Sequence, residues 1–509
     1  MLEQEIKLHV PADARKAVAA QMGTLSGPRR VRLRAMYFDT ANRHLARQHA
    51  AIRLRQEGRR WVQTFKMAGD DAVSRIELNH PRPGPELDLG VYEGTPAQAV
   101  IAKIKGELTV RYETDVMRLA RQVSCRKGVV ELAYDVGVIR AGTLEVPVNE
   151  LEFECVSGDV SAVFSLAARW LRQHALILDA RSKAERGDAL ARAAAQIARA
   201  PLEEQASVRE AEIVQYWAPA NADNVRLERN IAPSRALAVL SGSCYDQIVR
   251  NAAMLAEVDT AHLGVHAGPE HVHQLRVGLR RLRSAWQLFR GWVPAPGVEL
   301  QEGARYYFGE FGSARDADVL NDTVVPQLTR AGMPPVSIPA GEAADAAAVA
   351  RSPVFQVWLL DLLAFTAGLD AEDRVAPEEE PDLKRAVTKR LRKWHQRILA
   401  DGKHFSRLED AAKHELRKLG KRLRYGLTLT ESLYSGPHLK SYKKSLSALQ
   451  DVLGEINDLA VARERYAELV QSEPHAWFAV GWTSARLHSL DAQAEAAIAA
   501  LADTRPFWR

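Results

Sequence analysis

The segment EQEIKL, residues 3–8, alternates polar or charged residues with apolar ones. Successive side chains of a β-strand point to opposite faces, so Glu3, Glu5 and Lys7 would share one face and the apolar residues the other. The segment therefore predicts a strand with a charged face. Two glutamates and a lysine on one strand face are candidates for binding a ligand, so the other strands are compared with this one.

The same period of two returns in short segments up to about residue 188. These segments are AIRLRQ at 51–56, WVQTFK at 61–66, SRIELN at 74–79, GVVELAYDV at 128–136 and NELEFE at 149–154. Helical patterns occur between them, around residues 11–21, 95–105 and 159–173. Short alternating strands with few helices predict an α+β domain built mainly of antiparallel strands.

The charges on these strands are sorted by sign. Acidic side chains share a face in 128–136 and 149–154, whereas arginines share a face in 51–56. A sheet with one solvated face is one interpretation. Clustering of like charges on whole strands favours a closed barrel with a charged interior and an apolar outside covered by helices.

An interior with both signs fits a polyanion bound together with a metal ion. Clustered carboxylates would repel one another without a hard cation, and Mg²⁺ or Mn²⁺ takes oxygen ligands from carboxylates, water and phosphates. Arginine and lysine side chains would hold the phosphate oxygens by charge-assisted hydrogen bonds. The predicted substrate-binding residues are Lys7, Arg53, Arg55, Lys66, Arg75, Arg118 and Lys183.

Glu3-x-Glu5-x-Lys7 resembles the ExExK signature of the CYTH superfamily, the triphosphate tunnel metalloenzymes. Further matches follow in the expected order: Tyr37-Phe38-Asp39-Thr40, Arg53 and Arg55, Thr64-Phe65-Lys66, Arg75-x-Glu77, Arg118, Glu131, Glu150-x-Glu152-x-Glu154, Ser157-Gly158-Asp159 and Ser182-Lys183. The resemblance implies an eight-stranded antiparallel tunnel that binds triphosphates with a divalent metal. One departure is Asp188 after Arg186-Gly187, where similar proteins often carry an aromatic residue; it puts closure of that end in question.

The resemblance also implies roles for individual residues. The expected metal ligands are Glu3, Glu5, Asp135, Glu150, Glu152 and Glu154, and the expected catalytic residues are Glu3, Glu5, Lys7, Tyr37 and Lys66. Lys183 is expected to close the tunnel from its carboxyl-terminal end. Tyr37 and Lys66 would form a pair in which the ammonium lowers the pKa of the phenol, so that it orients or deprotonates water. A core aromatic is the alternative for Tyr37.

The pattern changes after residue 188. Residues 186–220 are polar and rich in alanine, which fits a helix or helical linker, and from about residue 229 the apolar period becomes 3.6. These changes predict a tunnel domain at 1–200, a linker at 201–228 and an all-helical domain at 229–509.

The helical half contains an internal repeat. HQLRVGLRRLR at 273–283 matches HELRKLGKRLR at 414–424, and Gly312-x-x-Arg315-Asp316 and Gly454-x-x-Asn457-Asp458 follow at nearly equal distances. The repeat predicts two pseudo-symmetric helical bundles.

Basic residues concentrate in this half. The window 384–424 has 15 basic and 4 acidic residues, a net charge of +11, whereas the whole chain has a net charge of +5 and the remainder therefore −6. Such a patch favours a polyanionic partner, either nucleic acid or polyphosphate. A merely solvated helix face and a histidine metal site are the alternatives for each copy.

The repeat resembles the CHAD domain, an all-helical module often combined with CYTH domains, over about residues 229–509. The resemblance implies a groove that binds inorganic polyphosphate, and few aromatic residues interrupt the basic ones, which disfavours a single-stranded nucleic acid. The predicted polyphosphate-binding residues are His273, Arg276, Arg280, Arg281, Arg283, Lys389, Arg390, Lys393, His414, Arg417, Lys418, Lys421, Arg422 and Arg424.

Composition excludes several classes of protein. The chain of 509 residues is 47% hydrophobic and 26% charged, which is typical of globular domains and not of disordered chains. No segment has the apolar length of a membrane span or signal peptide, so no membrane partner is expected. Three separated cysteines argue against a disulfide framework and predict a cytoplasmic protein.

These observations predict a metal-dependent hydrolase that converts inorganic triphosphate to pyrophosphate and phosphate and binds polyphosphate through its helical domain. Two alternatives stay open. The tunnel would also accommodate a nucleoside or thiamine triphosphate, as in class IV adenylate cyclases, or the chain would be a polyphosphate-binding scaffold without catalysis.

Overall fold

The computed structural model of the chain describes residues 2–24, 27–69, 73–258, 265–337, 345–369 and 380–508, and the side chains of residues 2, 313–319 and 321–322 lie outside this description. Two compact units divide the chain. The first comprises residues 1–221, 245–275 and 347–372, and the second comprises 222–244, 276–346 and 373–509.

A closed antiparallel sheet dominates the first unit. Its strands are β1 (Leu2–His9), β2 (Arg29–Asp39), β3 (Ala50–Glu57), β4 (Arg60–Ala68), β5 (Ser74–Arg82), β6 (Thr109–Cys125), β7 (Gly128–Ala141), β8 (Leu144–Gly158) and the short β9 (Ile177–Leu178). The order is β5-β4-β3-β2-β6-β7-β8-β1-β9, and β1 also pairs with β5. That pairing closes eight strands into a tunnel, so the predicted fold is confirmed.

Of the eight tunnel strands, β2 and β6 lie outside the six segments that the alternating pattern predicts. β6 is long and carries charged residues on both faces, which obscures its period, and β2 begins with Arg29 and Arg30. Their inner residues Leu33 and Val116 are nevertheless buried as alternation requires.

The inner face of the tunnel divides into a charged part and an apolar part. Inner residues of β2, β6, β7 and β8, such as Leu33, Ile139 and Val146, form one buried cluster with Leu190 and Ile197. Those last two residues belong to helix α4 (Lys183–Arg199). This helix therefore packs against the apolar part of the inner face and leaves the charged part as the site.

Other helices cover the outer face. They are α1 (Arg15–Thr24), α2 (Gln98–Ile101) and α3 (Ser161–His174). In contrast, α5 (Gln205–Tyr216) packs beside α4, and its Val208 and Tyr216 contact the buried cluster of the inner face. Trp170 of α3 is buried, and its ring centre lies 6.5 Å from that of Phe153 on β8. The apolar residues that alternate with the inner charges are therefore buried between the outer face of the sheet and the helices that cover it.

The rest of the chain is helical, as predicted. Its helices are α6 (Pro233–Leu255), α7 (Pro269–Phe289), α8 (Val298–Val319), α9 (Val325–Arg330), α10 (Ala346–Arg351), α11 (Pro353–Thr366), α12 (Leu383–Asp401), α13 (Asp410–Leu429), α14 (Pro437–Leu469) and α15 (Ala476–Asp503). Among the described helices, none combines the length and hydropathy needed to cross a bilayer.

The boundary between the units falls within helices. Residues 245–255 of α6, residues 269–275 of α7 and all of α11 belong to the first unit. α11 packs there against α3 and β9. The predicted linker 201–228 contains α5, and the predicted domain limits stay a prediction.

Candidate functional site

Strand pairing brings the predicted acidic residues together on β7, β8 and β1. In the register of these strands, Glu154 lies opposite both Glu131 and Glu5, and Glu152 lies opposite Lys7. Cross-strand neighbours on one face have Cβ atoms about 5 Å apart, so these side chains share one region of the interior.

One group of acids is neutralised by Lys183. Its ammonium lies 2.7 Å from Asp135 and 2.8 Å from Glu152 and also contacts Glu150. Arg118 donates two hydrogen bonds of 2.7 Å to Asp135 and contacts Glu152 at 2.5 Å. Burial would raise the pKa of the Asp135 and Glu152 carboxyls, but Lys183 and Arg118 lower both. These acids stay ionised with protein cations as partners.

Lys183 reaches this group because of the start of α4. Ser182 is the N-cap, and its hydroxyl accepts a hydrogen bond of 3.1 Å from the Glu185 amide. Lys183 is the first helical residue, so it points to the charged part of the interior. Its ammonium contacts Asp135, Glu150 and Glu152 there, and its role in closing the tunnel stays a prediction.

A second group surrounds Lys66 of β4. Its ammonium lies 2.5 Å from Glu3, 3.4 Å from Glu5 and 3.1 Å from Glu77. Burial alone would lower the pKa of Lys66, but the three carboxylates raise it. The lysine is thus firmly cationic.

One cation does not neutralise the acids at this end. Burial raises the pKa of Glu3 to about 8, and the neighbouring Glu5 and Glu77 add to the effect. Burial together with Glu131 and Glu5 raises the pKa of Glu154 to about 7. A raised carboxyl pKa at a buried cluster marks a position where further positive charge would be stabilising.

Both groups of acids are candidate sites for a divalent metal ion. The ligand atoms of Asp135, Glu150 and Glu152 lie within 4.8 Å of one another, but Lys183 contacts all three carboxylates. Glu3 and Glu154 have raised pKa values and are carboxylate donors of the kind that Mg²⁺ and Mn²⁺ prefer. Lys66 likewise contacts Glu3 and Glu5. Both groups therefore offer carboxylates that fit a hard cation, and each already holds a lysine.

Arginines gather on the adjoining strands. Arg53 and Arg118 both lower the pKa of the Arg55 guanidinium, after the larger effect of burial. Burial also lowers the pKa of the Lys7 ammonium. Lowered pKa values of buried cations indicate a place where an anion would be stabilising.

The structure places Tyr37 differently from the predicted pair with Lys66. Its ring stacks on Tyr112 at 4.6 Å and is buried, and its hydroxyl accepts a hydrogen bond of 3.3 Å from Arg53. Lys66 contacts glutamates instead. Arg75 lies opposite Glu3 in the strand register, so it is also at the acidic end.

Sequence reasoning left some interior residues without a role. Glu77 contacts Lys66, and Arg186, which is buried, contacts Glu150. Lys7 donates a hydrogen bond to the carbonyl of Arg181. The position of Arg186, three residues after Lys183 on a helix, is the signal that would have identified it.

Asp188, the residue that departs from the expected aromatic, is also accounted for. Arg43 donates hydrogen bonds to both of its carboxylate oxygens, one of them at 2.9 Å. The adjacent Gly187 lies against Tyr112, where a Cβ atom would be 2.1 Å from the ring. The start of α4 is therefore held tightly without the aromatic residue.

In the second unit, the two copies of the repeat meet. Arg276, Arg280 and Arg283 of α7 have their guanidinium carbons 4.7, 5.1 and 5.4 Å from the ring centre of Phe308 on α8. Arg280 also donates a hydrogen bond of 3.5 Å to the hydroxyl of Tyr425 on α13. Phe308 and Tyr425 are aromatic residues that the sequence reading did not assign to the basic surface.

Lys421 of α13 lies within this cluster. Burial lowers the pKa of its ammonium to about 7, and Arg280, Arg417 and Arg424 contribute to the effect, while Asp458 opposes it. The pKa of Arg283 is lowered by burial and by Arg305, Arg422 and Arg280. Here, too, cations exceed the local anions. The basic cluster consists of Arg276, Arg280, Arg283, Arg417, Lys421, Arg422 and Arg424.

Other predicted polyphosphate-binding residues have local partners. Arg281 is buried and donates hydrogen bonds of 3.3 Å to the Asp223 carbonyl and the Ser243 hydroxyl. Arg390 donates to the carbonyls of Gln287 and Arg290, at 3.0 and 2.7 Å, and so caps the end of α7. These contacts indicate structural roles for both arginines.

The remaining predicted residues lie elsewhere on the helices. Lys389 and Lys393 are exposed on α12, and Lys418 pairs with Glu415 at 2.7 Å. His414 contacts the Asn457 side chain at 3.2 Å. His273 belongs to the first unit. The side chains of Arg315 and Asp316 lie outside the described residues.

Comparison with known proteins relates each part to a family. Residues 1–187 match the family model of the CYTH domain, and residues 250–467 match that of the CHAD domain. A curated relative, the inorganic triphosphatase of Haemophilus influenzae, is 31% identical over 158 residues, which are 30% of this chain and 44% of the relative. The chain therefore matches less than half the length of this relative.

Two solved structures are also similar. The CHAD domain of the plant Ricinus communis is 28% identical, covering 57% of this chain and 98% of that one, with a TM-score of 0.47. A putative adenylyl cyclase from Hippeastrum, described as having a dominant triphosphatase activity, is 17% identical, covering 36% of this chain and 93% of that one, with a TM-score of 0.28.

Proposed function

Residues 1–187 of the chain match the CYTH domain and residues 250–467 match the CHAD domain. We propose that the protein processes phosphate compounds with both parts. Its tunnel hydrolyses inorganic triphosphate to pyrophosphate and phosphate with Mg²⁺ or Mn²⁺, and its basic cluster binds inorganic polyphosphate. The observation that carries the tunnel activity is the presence of unbalanced charges of both signs on one interior face. The pKa values of Glu3 and Glu154 are raised, and those of Arg55 and Lys7 are lowered.

This charge distribution suits a metal-bound triphosphate. We assign the metal to Glu3, Glu5 and Glu154, whereas Asp135 and Glu150 keep Lys183 in place. A bound metal ion would neutralise phosphate charge and lower the pKa of a coordinated water. Compared with a compact anion, a chain of three phosphates offers more oxygens to the interior cations and to a bound metal ion.

The chain's own residues would bind and orient the substrate. Arg53, Arg55 and Arg118 donate hydrogen bonds to phosphate oxygens, and Tyr37 holds the side chain of Arg53 in place. Attack of water on the terminal phosphorus breaks the phosphoanhydride bond, and the bridging oxygen leaves on pyrophosphate. Lys183 binds phosphate oxygens of the substrate, and cations such as Lys7 and Lys66 stabilise the charge that develops on the oxygens during cleavage.

The tunnel activity is tested by phosphate release from triphosphate, ATP and thiamine triphosphate, each with and without Mg²⁺ or Mn²⁺. We expect turnover of triphosphate that requires metal and exceeds the other two at least tenfold. Preference for ATP or thiamine triphosphate would instead support the organic triphosphate alternative. No turnover of any of the three would support the scaffold alternative.

Glu3→Gln is the matched variant for the metal assignment. Removing one carboxylate from the acidic end should lower metal-dependent turnover at least about a hundredfold, because the metal loses a charged ligand. The control is Glu145→Gln, since Glu145 is half-exposed and pairs with Arg140 at 2.6 Å outside the interior. Equal activity of the two variants would contradict the assignment.

Polyphosphate binding is tested with long-chain polyphosphate and the double variant Arg280→Glu with Lys421→Glu. We expect at least tenfold weaker binding, because both changes place an anion within the basic cluster. Arg199→Glu with Arg209→Glu, on exposed positions of α4 and α5, changes the net charge equally and should bind as the parent does. If both double variants bind polyphosphate equally weakly, the loss of affinity comes from the change in net charge. That result would contradict the proposal that the basic cluster is a specific binding site.

In addition, we propose a cytoplasmic location. Cys125, Cys155 and Cys244 are all unpaired thiols in the structure, which fits a reducing compartment.

A further inference from the structure

The segment Leu178–Arg186 connects β9 to α4 and supplies groups to the charged interior. The Arg181 carbonyl accepts a hydrogen bond from Lys7, Lys183 contacts three carboxylates, and Arg186 contacts Glu150. Its conformation therefore determines where two lysines of the proposed phosphate site lie.

Residues from the helical half hold this segment at its beginning. Gln356 of α11 has no exposed surface. Its side-chain oxygen accepts a hydrogen bond of 2.8 Å from the Leu178 amide, and its side-chain nitrogen donates one of 2.6 Å to the Ala350 carbonyl. A buried glutamine with both groups satisfied fixes the backbone of β9 relative to α11.

The middle of the segment is held through Trp217. The Arg181 guanidinium lies 4.6 Å from the Trp217 ring centre and pairs with Asp179 at 2.9 Å. The ring nitrogen Nε2 of His271, on α7, donates a hydrogen bond of 2.9 Å to the Trp217 carbonyl. All four side chains are buried or nearly so, which leaves this contact little freedom.

The end of the segment is held by α6. Arg250 donates hydrogen bonds to both carboxylate oxygens of Glu185, one of 3.1 Å, and one of 2.7 Å to Asp246 on its own helix. Glu185 lies in the first turn of α4, two residues after Lys183 and one before Arg186. Through Glu185, Arg250 therefore restrains the turn that carries both interior cations.

We propose that α6, α7 and α11 position Lys183 in the tunnel by fixing the segment Leu178–Arg186, with Arg250 and Gln356 as positioning residues. All of these contacts lie within the first compact unit. Arg250, His271 and Gln356 also fall within the residues that match the CHAD model. The helical half thus contributes to the phosphate site of the tunnel as well as to polyphosphate binding. This inference rests on the proposed triphosphatase activity.

The kinetic test uses Arg250→Gln in the full chain. Lys183 would bind phosphate and take no part in bond cleavage, so KM for triphosphate should rise about three- to tenfold while kcat stays within about twofold. Arg250→Lys, which can still pair with Glu185, should recover most of the affinity. The matched control is Arg209→Gln on exposed α5, which should leave both constants unchanged.

A second readout needs no activity. In the absence of substrate, amide hydrogens of residues 183–187 should exchange about three- to tenfold faster in Arg250→Gln than in the parent, because the first turn of α4 loses an external restraint. Gln356→Leu should increase exchange further, since it leaves the Leu178 amide buried without its acceptor. If that variant does not fold, Arg250→Gln still decides the question.

The outcomes separate this inference from the proposed function. A parent that does not hydrolyse triphosphate contradicts the function, and hydrogen exchange then decides the inference by itself. A parent that hydrolyses triphosphate, with unchanged KM and unchanged exchange in Arg250→Gln, overturns the inference and leaves the function standing. A fall in kcat alone would also overturn it, because it would place the effect in bond cleavage.

Discussion

At the scale of single residues, environment decides the charge of each interior carboxyl. Glu152 and Glu154 lie two residues apart on β8 and point into the same interior, yet the pKa of Glu152 is lowered and that of Glu154 is raised to about 7. The difference arises because Glu152 contacts Lys183 and Arg118, whereas Glu154 lies among Glu131 and Glu5. The alternation of the strand predicts that both face inward, and only the neighbours from other strands distinguish them.

The motifs that carried the family resemblance also divide at this scale into chemical and structural residues. Asp39 accepts hydrogen bonds from the amides of Thr40, Leu45 and Ala46, so it stabilises the turn after β2. Asp159 likewise accepts one of 2.7 Å from the Ser161 amide at the start of α3. Both carboxylates therefore shape the fold and lie outside the charged interior.

Lys421 gives a prediction for pH. Its pKa is about 7 in the free protein, so the ammonium is charged below pH 7 and largely neutral above it. A bound phosphate chain stabilises the ammonium and raises its pKa, so binding takes up a proton in the window above pH 7. Affinity for long-chain polyphosphate should therefore be about tenfold lower at pH 8.5 than at pH 6.5.

Isothermal titration in buffers of different ionisation enthalpy measures this proton uptake directly. Lys421→Arg keeps the positive charge at all these pH values, so it should remove most of the dependence. The charged groups that act on the Lys421 ammonium include Arg280, Arg417, Arg424 and Asp458. An identical pH dependence in Lys421→Arg would contradict this account.

At the scale of secondary structure, α4 is the element that brings two further cations to the acids of the interior. Its apolar residues Leu190 and Ile197 pack on the inner face, and its first turn carries Lys183 and Arg186 to the acids. The period of 3.6 in its sequence predicts a helix but gives no indication that the helix lies on the concave side of a closed sheet. That placement depends on contacts with four strands that are distant in sequence.

Gly187→Ala tests this placement. A Cβ atom at residue 187 would lie 2.1 Å from the Tyr112 ring, so either α4 or the ring must move. We expect the free energy of unfolding of this unit to fall by about 1–3 kcal/mol, as for overpacked cores. Urea unfolding followed by tryptophan fluorescence measures it.

Gly23→Ala serves as the control. Gly23 lies in α1, and a Cβ atom there would have no neighbour within 4 Å. Alanine in a helix is favoured over glycine by up to about 1 kcal/mol, so this variant should be as stable as the parent or slightly more stable. If Gly187→Ala and Gly23→Ala have similar free energies of unfolding, α4 or the Tyr112 ring shifts without loss of stability, which would contradict tight packing at Gly187.

At the scale of the whole molecule, two groups of cations serve two proposed ligands of different length. The cations of both groups are partly exposed: the Lys66 side chain is 27% exposed and the Arg417 side chain 18%. The salt dependence of binding grows with the number of phosphates that the protein neutralises, and long-chain polyphosphate offers more phosphates than triphosphate does. The two sites should therefore respond differently to ionic strength.

We predict that raising sodium chloride from 50 to 200 mM weakens polyphosphate binding at least about a hundredfold, as expected when several phosphates displace counterions. At a fixed concentration of free Mg²⁺, KM for triphosphate should change less than about fivefold. Fluorescence anisotropy with labelled polyphosphate and steady-state phosphate release measure the two responses. Equal salt dependence would indicate that a single surface binds both.

The order of charged residues along the chain determined the tunnel, the face of each predicted strand and the duplicated basic helices. These features follow from local periodicity, because a period of two or 3.6 fixes which side chains share a face. Of the eight tunnel strands, the pattern missed β2 and β6. In β6, Glu113 and Asp115 lie on one face and Arg118 on the other, whereas in β2 Arg30, Arg32 and Arg34 alternate with apolar residues as a strand requires.

Only the tertiary structure decided which charges remain unbalanced. The start of α4 inside the tunnel gives Asp135 and Glu152 a lysine and leaves Glu3 and Glu154 with raised pKa values. The tertiary structure likewise places Arg390 at the end of α7 and Arg280 in contact with both Phe308 and Tyr425. Electrostatic energies depend on distance and burial, and residues far apart in the sequence set both once the chain has folded.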